Sequence, residues 1–124
     1  MNYWVVGAMF GGSEDRLPMF VRRGYWYCWD PKENQEIPKA VDERFPLIKE
    51  GDRIAVKRML GRGSRNIEIK AIGVVSEVDH NEWRVYVRWV VPYLSRLVPM
   101  NGCAGSIHGP FSAEDIWIKQ VFQV

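Results

Sequence analysis

The chain has few cysteines and no long apolar run. Cys28 and Cys103, the only cysteines in 124 residues, lie far apart and form no CxxC pair, so no metal site is predicted. No apolar stretch approaches the roughly 18 residues that cross a bilayer. The apolar start of the chain lacks the basic segment of a signal peptide. We therefore expect free thiols, no membrane contact and a cytoplasmic location.

Motifs for phosphate transfer, dinucleotide binding and ester hydrolysis are absent as well. The sequence has no GxxxxGK[ST] loop, no GxGxxG fingerprint and no GxSxG elbow. The only histidines are His80, in a predicted turn, and His108, in an irregular stretch. No pair of carboxylates stands on an otherwise apolar strand, so general acid–base chemistry is disfavoured. The sequence predicts a binding protein with no catalytic residue and no cofactor.

Short strands dominate the predicted secondary structure. Apolar or alternating runs predict strands at residues 3–10, 53–57, 67–78 and 84–91. A hydroxyl and two acids at 13–15 predict a helix start, and the helix should end at Gly24, with Pro18 interrupting it. The remaining segments are predicted as irregular surface at 31–50 and 92–110, and as a strand or short helix at 115–122. These elements indicate one α+β domain over residues 1–124, built on a curved sheet or barrel.

Charge is distributed unevenly around a net charge of +2. Acidic residues concentrate between Asp30 and Asp52, whereas residues 53–65 carry five basic side chains and no acid. This pattern permits a basic face on a nearly neutral protein. The candidate phosphate contacts are Arg22, Arg23, Lys57, Arg58, Arg62 and Arg65.

Aromatic side chains are dense, with six tryptophans in the chain. Trp4, Trp89 and Trp117 lie among β-branched residues and are predicted to be core. Trp26 and Trp29 fit two interpretations, core or the walls of a cleft. Stacking one nucleobase on an aromatic side chain is worth about 1–3 kcal/mol. A base inside a duplex must first be flipped out, which costs a few kcal/mol.

Several segments resemble, in order, the EVE-type domains of the PUA-like superfamily. They read YWVVGAMFGGSED at 3–15, GYW at 24–26, IKEGDRIAVK at 48–57, IKAIGVVSE at 69–77, VYVRW at 85–89 and DIWIKQVF at 115–122. Together they cover nearly the whole chain. The resemblance implies a PUA-like curved β-barrel with one or two short helices. It also implies a module that recognises a modified, methylated base in DNA by flipping it into an aromatic cage.

Such domains often form the specificity part of modification-dependent restriction systems of the McrB type. A fused or separate NTPase or nuclease is therefore an implied partner. Carried over by position, the cage has Trp26 after the helix, and Trp83 as a candidate second wall. The full implied base-binding set is Phe10, Asp15, Trp26, Tyr27, Cys28, Trp29 and Trp83.

Two other functions remain open from the sequence. A YTH-like or PUA-like reader of modified RNA would use the same cage. An ASCH-like nucleotide-binding or hydrolytic domain would need an essential carboxylate or lysine, such as Asp15 or Lys57.

Overall fold

A computed structural model of the chain describes residues 1–33 and 36–123. Within them the strands are Tyr3–Gly7 (β1), Met9–Phe10 (β2), Glu14–Asp15 (β3), Tyr25–Trp26 (β4), Arg53–Met59 (β5), Asn66–Asp79 (β6), Arg84–Val91 (β7), Arg96–Pro99 (β8) and Ile107–Phe111 (β9). The helices are Leu17–Arg23 (α1), Lys39–Arg44 (α2) and Ile116–Phe122 (α3), with a 3₁₀ turn at Phe45–Leu47. Asn34 and Gln35, part of the predicted excursion at 31–50, lie outside the described residues. No helix in the described ranges is long and apolar enough to cross a membrane.

Seven strands form one mixed sheet, which confirms the predicted α+β class. Their order is β4–β7–β6–β5–β1–β9, and β8 pairs with the first part of β6. β1 and β5 run parallel, and the other pairs are antiparallel. Within residues 1–33 and 36–123 the outer strands β4 and β9 do not pair, so the sheet is not closed and a barrel is not confirmed. The three helices exceed the one or two that we expected.

Both faces of β1 are buried, which explains why this strand reads as a continuous apolar run. Trp4 and Val6 face the larger of two hydrophobic clusters, together with Phe20 and Trp26. Tyr3 and its neighbours on the other face of the sheet pack against α3. Asp115 begins this helix, because its Oδ1 accepts hydrogen bonds from the backbone N–H groups of the first turn. β1 is thus packed on both of its faces.

The strands at 53–57, 67–78 and 84–91 are confirmed as β5, β6 and β7. The predicted bulge at Gly73 is confirmed too, because the β6–β7 register shifts between Ile72 and Gly73. A Cβ built on Gly73 would lie 2.4 Å from Cγ1 of Val87. Only glycine therefore allows this close approach.

The predicted start of α1 at residues 13–15 is wrong. Glu14 and Asp15 instead form β3, which pairs with β2, and the helix begins at Leu17. Pro18 explains the difference, since proline is tolerated in the first turn of a helix but not in its interior. The predicted end is confirmed: Gly24 has φ of 75° and its N–H donates to the carbonyl of Phe20.

The two segments predicted as irregular contain regular structure. Residues 31–50 include α2 and the 3₁₀ turn, and they bury Val41, Phe45 and Ile48. Residues 92–110 contain β8 and most of β9. These strands are short, and they pair with β6 and β1, which lie far away in the sequence. Local patterns therefore carry little information about them.

Asp52 fixes the start of the parallel pair β1–β5. Its buried carboxylate accepts hydrogen bonds from Trp4 Nε1 at 2.9 Å, from the backbone N–H of Asn2 at 2.9 Å and from that of Lys49 at 3.0 Å. Hydrogen bonds to a charged group are worth about 1.5–3 kcal/mol each. These bonds therefore stabilise the start of the β1–β5 pair.

Candidate functional site

A cleft opens where β1 ends and the chain turns into β2. Its volume is about 240 Å³. It is lined by Gly7, Met9, Phe10, Gly11, Cys28, Trp29, Glu36, Pro38 and Ser106. We call this set the aromatic cleft. Three residues of the implied cage meet there: Phe10, Cys28 and Trp29.

The ring of Phe10 packs against a cation. The guanidinium carbon of Arg16 lies 3.7 Å from the centre of the Phe10 ring. Arg16 Nη1 also donates to Tyr27 Oη at 2.8 Å and to Glu33 at 3.1 Å. A cation–π contact such as that between Arg16 and Phe10 is worth about 0.5–2 kcal/mol, depending on desolvation. Phe10 therefore presents its ring to the cleft from a supported position.

Trp29 is the second aromatic side of the cleft. Its Nε1 donates to the carbonyl oxygen of Glu36 at 2.8 Å, and 7% of the residue is exposed. Trp83 packs edge-on against Trp29 with ring centres 5.2 Å apart, and its ring is tilted by 37° against that of Phe45, with ring centres 4.9 Å apart. Trp83 has φ of 55°, a conformation that bulky residues rarely adopt. It supports Trp29 from outside the residues that line the cleft.

Trp26 lies beneath the cleft and does not line it. The side chain is fully buried, and its Nε1 donates to the carbonyl oxygen of Gly7 at 2.9 Å. Gly7 itself lines the cleft. Trp26 therefore supports the floor of the cleft through the backbone and presents no free aromatic face to a ligand in this conformation.

The two residues between these tryptophans point in different directions. Cys28 lines the cleft, and burial raises the pKa of its thiol to about 12. Tyr27 packs against Phe20 and Phe10 in the core. Burial raises the pKa of Tyr27, and the charge of Arg16 opposes that shift. Both side chains are neutral at physiological pH.

Asp15 lies on the other side of Met9 from the aromatic cleft. It shares a very small hollow of about 10 Å³ with Lys57, Arg58 and Lys70. Its Oδ1 accepts a hydrogen bond from the backbone N–H of Leu17 at 3.0 Å. The carboxylate therefore helps to begin α1 and does not reach the aromatic cleft.

A second cavity of about 140 Å³ adjoins the aromatic cleft. It is lined by Gly7, Ala8, Met9, Lys57, Met59, Ala104, Gly105 and Ser106. We call it the Lys57 hollow. Lys57 is 5% exposed, and burial lowers the pKa of its ammonium group while nearby Cys103 opposes that shift. Among the predicted phosphate contacts, Lys57 is thus a buried side chain that borders a cavity.

The other predicted phosphate contacts fall into two groups. Gly7 of β1 lies opposite Lys57 of β5, so the loop after β5, which carries Arg62 and Arg65, leaves the sheet at the same end as the aromatic cleft. Arg58 is exposed beside it. Arg22 and Arg23 stand at the far end of α1, about 10 Å from its start. The structure therefore places Arg58, Arg62 and Arg65 at the end of the sheet where the cleft opens, and Arg22 and Arg23 in the last turn of α1.

Six lining residues of the aromatic cleft were not predicted from the sequence. They are Gly7, Met9, Gly11, Glu36, Pro38 and Ser106. Gly11 was visible as the end of the apolar run at 3–10, and Gly7 lay inside that run. The others come from segments without a chemical motif, and long-range pairing brings them together.

Within the described part of the chain, no cluster of three or more His, Cys, Asp or Glu side chains could hold a metal ion.

Comparison with known proteins adds no family to this picture. No protein-family model matches the chain, and none of the curated proteins matches it.

Proposed function

We propose that this chain is an EVE-like module of the PUA-like superfamily that binds nucleic acid and takes one modified base into the aromatic cleft. The preferred ligand is a methylated base in DNA, flipped out of the duplex. The chain acts in the cytoplasm as the specificity part of a modification-dependent restriction system, with cleavage supplied by a fused or separate NTPase or nuclease. One observation carries this proposal: Phe10, Cys28 and Trp29 share one open cleft.

The size and lining of the cleft suit a single planar ring. Drug-sized ligands occupy pockets of about 300–1,000 Å³, and this cleft is smaller, at about 240 Å³. Phe10 and Trp29 offer apolar surface, whereas Glu36 and Ser106 offer polar atoms. A base needs both, because its faces stack and its edges form hydrogen bonds.

Trp29 is the tryptophan that this proposal assigns to the base. Trp26 followed the predicted helix and matched the family position, but Trp26 is fully buried and Trp29 retains some exposure. Trp83 acts behind Trp29 as its support. The assignment moves the stacking role by three residues within the same aromatic run.

Attraction to the phosphate backbone comes from the exposed basic residues near the cleft. Arg58, Arg62 and Arg65 lie at the end of the sheet where the cleft opens. Contacts of this kind position the duplex without reading its sequence, and they weaken as salt concentration rises. Arg62→Ala should therefore weaken binding to modified and plain DNA by the same factor.

A binding panel tests the proposal. Fluorescence anisotropy would compare one duplex carrying a single methylated cytosine or adenine, the same duplex without it, and a single-stranded RNA with the matching modification. Wild-type protein should prefer one modified duplex over plain DNA by at least about tenfold. Equal affinity for modified and plain DNA would reject the proposal. Preference for the modified RNA would reject DNA as the ligand.

Two variants test whether the preference for the modified base depends on the aromatic cleft. Trp29→Leu removes the stacking surface and should reduce the preference by about 5- to 150-fold, the equivalent of about 1–3 kcal/mol. Trp89→Leu is the matched control, because Trp89 also donates its indole N–H to a backbone carbonyl, that of Phe20 at 3.0 Å, and it lies outside the aromatic cleft. Trp89→Leu should leave the preference unchanged.

A further inference from the structure

Lys57 is a buried cation without an acidic partner in the described structure. The buried polar and charged side chains there are Asp30, Asp52 and Lys57. Asp30 contacts Arg84, and Asp52 accepts from Trp4. None of the ion pairs found among residues 1–33 and 36–123 includes Lys57. The Nζ atom of Lys57 is not among the fully buried polar atoms that lack a hydrogen-bond partner in the described residues, so the ammonium group keeps access to the cavity beside it. A largely buried ammonium group is stabilised by a counter-charge that compensates for the lost water.

The space in front of this ammonium group is open. A Cβ built on Gly7 would lie 3.7 Å from Nζ of Lys57 and 3.8 Å from the carbonyl oxygen of Gly105. The glycine leaves that volume to the Lys57 hollow. The wall at 104–106 is held in place, because Gly7 N–H donates to Ser106 O at 2.9 Å and Gly105 N–H donates to His108 Nε2 at 2.8 Å.

The lining of the Lys57 hollow favours negative charge, whereas the carboxylate of Asp15 borders Lys57 in the separate hollow of about 10 Å³. None of the described residues that line the hollow is acidic. The charges of Lys57 and Arg44 both act on His108, whose pKa is lowered by burial and by these two cations. Arg44 is fixed beside β9, the strand that carries His108, because its Nη1 donates to the carbonyl oxygen of Ile107 at 2.6 Å. A small oxyanion in the hollow would therefore meet positive potential.

We propose that the Lys57 hollow binds the phosphate group of the nucleotide whose base occupies the aromatic cleft. The identity of the ligand as a nucleotide rests on the proposed function, whereas the affinity for an oxyanion rests on the hollow alone. The two cavities share Gly7, Met9 and Ser106, so a base in one brings its sugar and phosphate beside the other. Lys57 donates a charge-assisted hydrogen bond to the phosphate.

Small ligands test this proposal without a duplex. Calorimetry would compare 2′-deoxycytidine, 2′-deoxycytidine 5′-monophosphate, their methylated forms and sodium phosphate. Wild-type protein should bind each monophosphate about 10- to 100-fold more tightly than its nucleoside. Lys57→Met keeps the length of the side chain without the charge and should abolish that difference. Lys70→Met is the matched control, because Lys70 is a neighbouring lysine on β6 that pairs with Glu68 and does not line the hollow.

A spectroscopic readout makes the test independent of how well the variant folds. In wild-type protein, the ¹⁵Nζ resonance of Lys57 should shift on addition of the monophosphate and not of the nucleoside. An unchanged resonance at saturation would overturn the proposal, as would equal monophosphate affinity in folded Lys57→Met protein. If the resonance shifted with sodium phosphate but not with the monophosphates, the hollow would be an oxyanion site. That result would reject the nucleotide as its ligand.

The two proposals fail separately. Binding of the monophosphates that depends on Lys57, without any preference for modified DNA, would support the phosphate site and reject modified-base recognition. The opposite result is a preference for modified DNA together with the same affinity for the monophosphates in wild type and Lys57→Met. That result would support modified-base recognition and reject the phosphate site at Lys57.

Discussion

The indole Nε1 of Trp26 donates a hydrogen bond to the carbonyl oxygen of Gly7 at 2.9 Å. This bond joins the fully buried tryptophan of β4 to the end of β1, where the aromatic cleft and the Lys57 hollow meet. The most conspicuous aromatic residue in the sequence thus acts through the backbone of a glycine. Its role in the cleft is to position the floor.

Trp26→Ala is therefore expected to damage the fold. Removing a fully buried tryptophan lowers the free energy of unfolding by about 3–5 kcal/mol. Urea denaturation at neutral pH would measure this, with Trp29→Ala as the comparison. A loss below about 1 kcal/mol for Trp26→Ala would show that its side chain is not part of the core.

Arg16→Met should loosen the support behind Phe10. The substitution keeps an apolar side chain but removes the cation above the ring, the hydrogen bond to Tyr27 Oη and the surface ion pairs with Glu14 and Glu33. We expect the free energy of unfolding to fall by about 1–2 kcal/mol. Tyr27→Phe is the control, because it removes the hydrogen bond and leaves the cation in place. Equal losses for both variants would mean that the cation over Phe10 contributes nothing.

Both thiols should resist alkylation in the folded protein. Burial raises the pKa of Cys28 to about 12 and also raises the pKa of Cys103, and the thiolate is the reactive form. Intact mass measured during iodoacetamide treatment near pH 8 should show little modification without denaturant and complete modification in urea. Rapid alkylation of native Cys28 would contradict the buried, neutral thiol in the cleft.

Stability should fall in mild acid because of His108. Burial, together with the charges of Lys57 and Arg44, holds the pKa of His108 below the ordinary value of 6.5. The unfolded chain therefore takes up a proton at a higher pH than the folded chain does. The stability that neutral His108 contributes is present above about pH 6.5 and is lost as the pH falls toward the folded-state pKa.

The variant His108→Gln isolates this effect from the acidic residues. The difference in unfolding free energy between wild type and His108→Gln should shift in favour of the variant as the pH drops from about 7.5 to about 5.5. His80→Gln serves as the control for the other histidine. A difference that does not change with pH would show that His108 titrates normally.

The central strands were predictable because their patterns are local. β7 alternates apolar and polar residues, and Gly73 marks the bulge where β6 passes Val87. β8 and β9 were not predictable, since each has five residues or fewer and pairs with a distant strand. α2 is short and rich in charge, and Val41 is its one buried side chain among the described residues.

The candidate site was predictable only where a local pattern marks it. The aromatic run at residues 25–29 marks the region correctly, but every member except Cys28 is aromatic, so composition does not tell which side chain faces the cleft. Tertiary packing decides it, because Trp26 is fully buried with its indole N–H on Gly7 O, whereas Trp29 donates to Glu36 O and lines the cleft. Both acceptors are backbone atoms, which no sequence motif identifies.

One titration tests the central claim most directly. A duplex that carries one methylated base is added to the protein, and the indole N–H resonances of the protein's tryptophans are followed. The proposal predicts that the Trp29 resonance shifts with the modified duplex and stays in place with the same duplex unmodified. The resonance of Trp117, which lies on the opposite face of the sheet, should not move with either. A Trp29 resonance that stays in place at saturation, or that shifts equally with both duplexes, would contradict recognition of a modified base in the aromatic cleft.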